Sequence, residues 1–412
     1  MNFSQVTELN ERIAVYLNTL CSEISTRMVG TDGNREATDF FAKTVDSFGF
    51  RVQSDEFDCL NWTNTGAVLK AGKEHFTSYV SPFSVSCDIR RPIVPVQTLN
   101  ELKSADINDK IALLFGEIAG EQIMPKNFPF YNPDHHKEII GLLERKQPAA
   151  IIAATEKNTD MAGAVYPFPL FEDGDFLIPS VYMKDVEGTK LLKHHDEGVQ
   201  LQINSERQSS TGYNVTGRKG DCSDSRIVIV AHIDAKQGTA GATDNATGII
   251  FLLLLAELLK DYSGSPGIEL VALNGEDYYS NPGEQLFMQQ NAGKFQNILL
   301  GINSDGLGYK DGSTAYSLYN CPEDLGKIIV DSFETFETIK EGSQWYQSDH
   351  SIFIQNDVPA LAFTTTELDT LISTIAHTKK DKPDVVNPKL VSETAYAVHR
   401  LIMTIDWNLY DF

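Results

Sequence analysis

Six side chains in the second half of the chain have the types and the placement for a metal site: His232, Asp244, Glu276, Asp277, Asp305 and His377. They occupy the loops that follow short apolar runs rich in branched residues. The run 227–231 ends in His232-Ile233-Asp234, and the next loop holds Gly241-Ala242-Thr243-Asp244-Asn245. The run 268–273 ends in Asn274-Gly275-Glu276-Asp277, the run 298–302 in Asn303-Ser304-Asp305, and His377-Thr378 follows the run 360–364. One His or Asp in such a place is ordinarily a hydrogen-bonded core residue, a cap or a turn. Two His and three Asp with a Glu beside them, all at run ends, are hard to obtain from caps alone. Imidazole with carboxylate is a ligand set that suits zinc.

The elements that must position these residues follow an α/β pattern. Short branched runs that end in polar loops and lead into helical patterns imply buried strands of a largely parallel sheet with helices packed on it. In such sheets the working residues lie in loops at the carboxyl ends of the strands. Residues 34–48 carry apolar positions at helical spacing, with Gly49 as the stop. Residues 51–57 alternate as a strand, and 389–407 form a closing helix. The apolar run 248–259 has 12 residues including Glu257, too short for the roughly 20 that cross a bilayer, and fits a buried helix.

Residues 65–208 differ in texture, with short strands at 110–115, 149–154 and 199–203, and read as an inserted module. Its exit, 204–212, is a Ser, Thr, Asn and Gly cluster that reads as a linker, or as an irregular loop within one domain. The expected organisation is therefore 1–64 and 209–412 as one catalytic domain, interrupted by 65–208. A chain of 412 residues is long enough for both.

With 34 Lys and Arg against 57 Asp and Glu, the net charge of −23 repels phosphate backbones and anionic membranes, so no nucleic acid is expected as a partner. The five cysteines form no C-x-x-C pair, which excludes a thiolate zinc site and a dense disulfide framework. The N-terminus lacks the basic start and apolar run of an export signal. A cytoplasmic protein is expected from this start, or a periplasmic or secreted one if the N-terminus was trimmed.

The motifs resemble those of the co-catalytic zinc exopeptidases, a family that includes bacterial leucyl aminopeptidases, glutamate carboxypeptidase II and, as divergent relatives, glutaminyl cyclases. Ala231-His232-Ile233-Asp234 looks like the family's A-H-x-D, and Gly241 to Gly248 like its G-A-x-D-N-A-x-G. Glu276-Asp277 sits at its acidic pair and Asn303-Ser304-Asp305 at its N-x-D. Ser348-Asp349-His350 matches its S-D-H, and His377-Thr378 with Asp381 its H-T-x-x-D. The opening Gly30-Thr31-Asp32-Gly33-Asn34 fits as well.

The resemblance implies a mixed, largely parallel sheet sandwiched by helices, of the zinc-exopeptidase or phosphorylase/hydrolase-like kind. It implies two Zn2+ ions, one on His232 and Asp305, the other on Asp277 and His377, with Asp244 bridging. Glu276 is then the general base toward the attacking water, and Asp234 the carboxylate that holds the His232 tautomer. Asn245 and Gly248 shape the loop, and His350 buttresses it. Asp277 departs from the family, where Glu is more frequent. The runs 106–114, 149–154 and 178–181 resemble a mainly β protease-associated (PA) domain.

The expected protein is a metallo-exopeptidase acting on peptides, an aminopeptidase before its rivals. A carboxypeptidase or dipeptidase would need a cation aimed at a substrate carboxylate, for which Arg27, Arg35 and Arg90 are candidates. A glutaminyl cyclase and a zinc-binding interaction protein that has lost catalysis are two further rivals. Trp345 and Tyr346 are candidate pocket residues. His135, His136, His194, His195, His75 and His399 are expected on the surface or in a helix, away from chemistry.

Overall fold

The four apolar runs form strands Arg226–His232, Gly267–Leu273, Ile298–Ser304 and Ala360–Thr365, each buried along its whole length. Strands covered on both faces must be apolar throughout, which is why these runs do not alternate. The computed structural model describes residues 3–405 and 407, apart from 25, 196 and 197. In it the chain divides into two units, Met1–Cys59 with Thr211–Phe412, and Leu60–Ser210.

In the first unit the strands lie in the order Ile339–Glu341, Thr314–Tyr319, Ala360–Thr365, Ile298–Ser304, Arg226–His232, Gly267–Leu273, then the C-terminal part of Gly198–Lys219. The middle four are parallel, and their register sets His232 beside Leu273 and Ser304 beside Phe363. The loops that carry the candidate ligands therefore leave one end of the sheet. Strands Thr314–Tyr319 and Gly198–Lys219 flank them antiparallel.

Helix Thr247–Leu258 buries ten of its residues. A helix apolar on every side is a core helix, and it is the element on which both the sheet and the outer helices pack. Helix Asp32–Ser47 begins where Thr31 accepts the Asn34 N–H at 3.2 Å, buries Ala37, Phe41 and Val45, and stops before Gly49. Helix Pro388–Thr404 starts with Pro at its first position and Asn387 as its cap.

Residues 204–212 are not a linker or an irregular loop. They lie inside the 22-residue strand Gly198–Lys219, which pairs with strand Arg51–Ala71. Ladder pairing overrides a composition that favours loops. Gly212 is there because a Cβ would stand 2.3 Å from the Phe57 ring that crosses it.

The second unit is more mixed than mainly β. Strands Cys87–Val96, Ile111–Phe115, Ala150–Thr155 and Ser180–Lys184 run parallel, with helices Leu99–Ser104 and Asp134–Lys146 between them and helix Asp185–Leu191 after the last. Its own core gathers Val96, Leu102, Leu114, Ile140, Leu143 and Phe168. All five cysteines are free thiols. Among the described residues no helix is long and apolar enough to cross a membrane.

Candidate metal centre

His232 is the last residue of its strand and fully buried. Its Nε2 lies 3.3 Å from Oδ1 of Asp244 and 3.7 Å from Oδ1 of Asp305. On the other side, His377 Nε2 lies 3.1 Å from Oδ2 of Asp244 and 2.9 Å from Oδ1 of Asp277. Asp244 thus turns one carboxylate oxygen to each His–Asp pair. All five ligand candidates from the sequence come together.

The residues fit zinc on their own geometry. Two ligand atoms bonded to one tetrahedral zinc stand about 3.3 Å apart, and the four separations bracket that value. Both ring nitrogens of His232 are buried without a hydrogen-bond partner. A buried polar atom left in that state costs free energy, and a metal bond removes the cost.

The supporting contacts explain how loops hold this arrangement. The Gly275 N–H donates to Oδ1 of Asp234 at 2.7 Å and the Asp277 N–H to Oδ2 at 3.0 Å. Asp234 approaches His232 Nδ1 only to 3.7 Å, too far for a hydrogen bond, so it anchors the acidic loop more firmly than it holds the imidazole. The Lys236 N–H donates to Oδ2 of Asp277 at 3.2 Å, which leaves Oδ1 for His377.

Asp381 is legible in the sequence only as part of a motif. It accepts the Thr243 N–H and hydroxyl at 2.8 Å each and the Asp244 N–H at 3.0 Å. The Asn245 side chain donates to Ser304 O at 2.7 Å and accepts from Gly248 N at 3.0 Å, so it shapes the loop as expected. The Asn303 amide donates to Ser348 Oγ and His350 Nδ1, and His350 Nε2 donates to Trp345 O at 2.7 Å. Both His350 nitrogens are therefore used in buttressing the strand end that leads to Asp305.

Burial pushes the Glu276 carboxyl up, and although His232 opposes this, Asp277, Asp305 and Asp244 add to it, leaving it well above the ordinary range. Burial acts in the same direction on Asp244 and Asp277, but the imidazoles outweigh it and hold both low. His232 and His377 are pushed down by burial and, more strongly, up by the carboxylates around them. Imidazoles that bind protons this well must lose them to bind a metal.

Several residues stand elsewhere than the sequence suggests. Arg27 is buried with its guanidinium turned onto backbone carbonyls. Arg35 pairs with Asp39 at 2.8 Å and stacks 3.9 Å over Tyr213. Arg90 lies on strand Cys87–Val96 of the second unit. The Trp345 ring packs 4.4 Å from His350, while Tyr346 is exposed.

His136 is buried rather than exposed. Its Nδ1 accepts the Met124 N–H at 3.2 Å, so Nε2 carries the proton and donates to Glu121, which His135 also meets. A hydrogen-bonded His–Glu–His group accounts for this cluster without a metal.

Of two further buried acids near these residues, Glu284 gave no sequence signal and Asp349 only that of the Ser348-Asp349-His350 motif. Glu284 and Asp349, 1% and 2% exposed, leave all four carboxylate oxygens without a donor. Burial pushes both upward, aided at Glu284 by the charge of Asp234, which brings it to about 7, and at Asp349 by that of Glu284.

The mostly parallel sheet flanked by helices matches the fold of solved aminopeptidases. Residues 214–402 match the sequence model of Peptidase family M28. The chain shares its fold with a zinc aminopeptidase from Bacillus subtilis at TM-score 0.75 and 15% identity, over 95% of this chain and 94% of that one. It is likewise similar to an aminopeptidase from Aneurinibacillus sp. strain AM-1 at TM-score 0.72 and 18% identity, over 95% and 93%. A curated relative, "probable leucine aminopeptidase 2" of Aspergillus oryzae (strain ATCC 42149 / RIB 40), is 23% identical over 317 residues, 73% of this chain. The match spans 60% of the length of that relative.

Proposed function

We propose that the protein is a two-zinc aminopeptidase. His232 and Asp305 would hold one ion and His377 and Asp277 the other, with Asp244 between them and Glu276 as general base. The observation that carries this is the division of Asp244, one oxygen 3.3 Å from His232 and the other 3.1 Å from His377. Bound there, the ions would polarise the scissile carbonyl and acidify the attacking water.

Glu276 takes the proton from that water and returns it to the leaving amine. The task calls for a carboxyl with a raised pKa, and burial with three neighbouring carboxylates pushes it that way. A degenerate binding protein would have no use for such a base beside its ligands. Asp234 and Asp381 hold the two loops on which Glu276, Asp277 and Asp244 ride.

Two features favour release of an N-terminal residue. Arg27 and Arg35, candidates for a substrate carboxylate, are occupied by backbone carbonyls and by Asp39 with Tyr213. Carboxylates outnumber cationic side chains at the site, Asp234, Asp244, Glu276, Asp277 and Asp305 against His232 and His377, and an acidic site suits a free ammonium. The separate core of the second unit supports its treatment as a PA-like insertion.

A panel of free-amine and N-blocked aminoacyl substrates, assayed on wild type, after chelation and on Glu276→Gln, tests the proposal. Chelator-sensitive cleavage of free-amine substrates, lost in Glu276→Gln, is expected. Cleavage of blocked substrates alone would overturn the aminopeptidase assignment, and full activity in Glu276→Gln would overturn the mechanism.

A further inference from the structure

We infer that Arg27 is a positioning residue for the bridging carboxylate Asp244, an assignment that rests on the two-metal proposal above. Arg27 is 3% exposed and makes no ion pair among the described residues. Its Nε donates to Ile233 O at 2.9 Å, Nη1 to Leu20 O and Ala240 O at 2.8 Å each, and Nη2 to Gly241 O at 2.8 Å. Ile233 follows His232, and Ala240 and Gly241 precede Asp244. One planar cation therefore ties the two ends of the loop 233–241 together and fastens them to the N-terminal segment through Leu20.

The two ends depend on it unequally. His232 belongs to a strand, and the next residue is held by the sheet as well, its N–H donating to Leu273 O at 2.8 Å. Asp244 has no ladder behind it; its loop is held by Asp381, by the Asn245 side chain on Ser304 O, and by this guanidinium. Gly241 shows how closely the clamp is fitted. Its φ is +56°, and a Cβ there would stand 2.8 Å from Arg27 Nη2 and 2.4 Å from Asp244 O. A lysine keeps the charge but offers a single point of donors in place of a fork, so it cannot span carbonyls on three segments.

Arg27→Lys and Arg27→Gln, each removing the fork while keeping a polar donor, test the assignment. The full chain is stripped of metal and titrated with Co2+, following visible absorption for each equivalent and electron paramagnetic resonance for coupling between the two ions. Wild type is expected to bind two coupled equivalents. Both variants are expected to keep the first, to bind the second roughly 10- to 100-fold more weakly, as when groups supporting a ligand are lost, and to lose the coupling. Near-ultraviolet circular dichroism of the metal-free proteins reports folding. If Arg27→Lys does not fold, Arg27→Gln decides alone. Two equivalents bound and coupled as in wild type would overturn the role of Arg27. Equal weakening of both equivalents in a folded variant would also overturn it. A wild type that binds no cobalt would instead overturn the metal proposal itself, and this assignment with it.

Discussion

The backbone N–H of Asp277 donates to Oδ2 of Asp234 at 3.0 Å, so the residue after Glu276 is hung from the loop that follows His232. The second amide on the same carboxylate, that of Gly275, makes the tie rigid. Asp234→Asn replaces one acceptor with a donor that faces an N–H. Zinc affinity is expected to fall about 10- to 100-fold, measured by competition with a chelating dye. Unchanged affinity would show that the acidic loop holds its place without Asp234.

Glu276→Gln keeps the shape and removes the proposed base. Turnover is expected to drop by about 10²- to 10⁴-fold, while the zinc content measured by atomic emission stays at the wild-type value. Loss of metal together with activity would make Glu276 a ligand instead.

Asp277 meets His377 and not His232, so its removal should be felt on one side. Asp277→Asn is expected to leave one zinc per chain tightly bound and one weakened. Equal weakening of both would mean that the two His–Asp pairs do not act separately.

Glu284 brings a pH dependence that the reaction does not use. Burial first, then the charge of Asp234, pushes its carboxyl from 4.5 up to about 7. A carboxyl raised in the folded state supports folding fully below its unfolded value and loses that support as the pH climbs to the folded one. Stability should therefore fall between about pH 4.5 and 7, by on the order of 3 kcal/mol. Glu284→Gln should flatten that step, read from urea melts at about pH 5 and 8. An unchanged step would assign it to another group.

The candidate ligands His232, Asp277 and Asp305 are legible because each lies at or just after the end of a strand whose apolar run is visible in the sequence. Asp244, in the loop twelve residues on from His232, and His377, beyond helix Leu368–Thr374, are legible through their motifs. His232 and Ser304 are the terminal residues of their strands, and register then brings their loops to one end of the sheet. The contacts that aim those loops are not legible, since they join distant segments. Arg27 reaches Ile233 and Gly241, and Glu284 meets Asp349, through tertiary packing that no local spacing encodes. Residues 204–212 differ from expectation for a related reason: a Ser- and Thr-rich stretch becomes a strand when a partner such as Arg51–Ala71 supplies the ladder. His136 is buried although its sequence neighbours are polar, because its helix turns that one position inward.

The division of Asp244 between two His–Asp pairs can be tested directly by anomalous diffraction at the zinc edge on crystals of the zinc-loaded protein. Two peaks are expected, one beside the Asp244 oxygen that faces His232 and Asp305, the other beside the oxygen that faces His377 and Asp277. A single peak, or none between these residues, would contradict the two-zinc site.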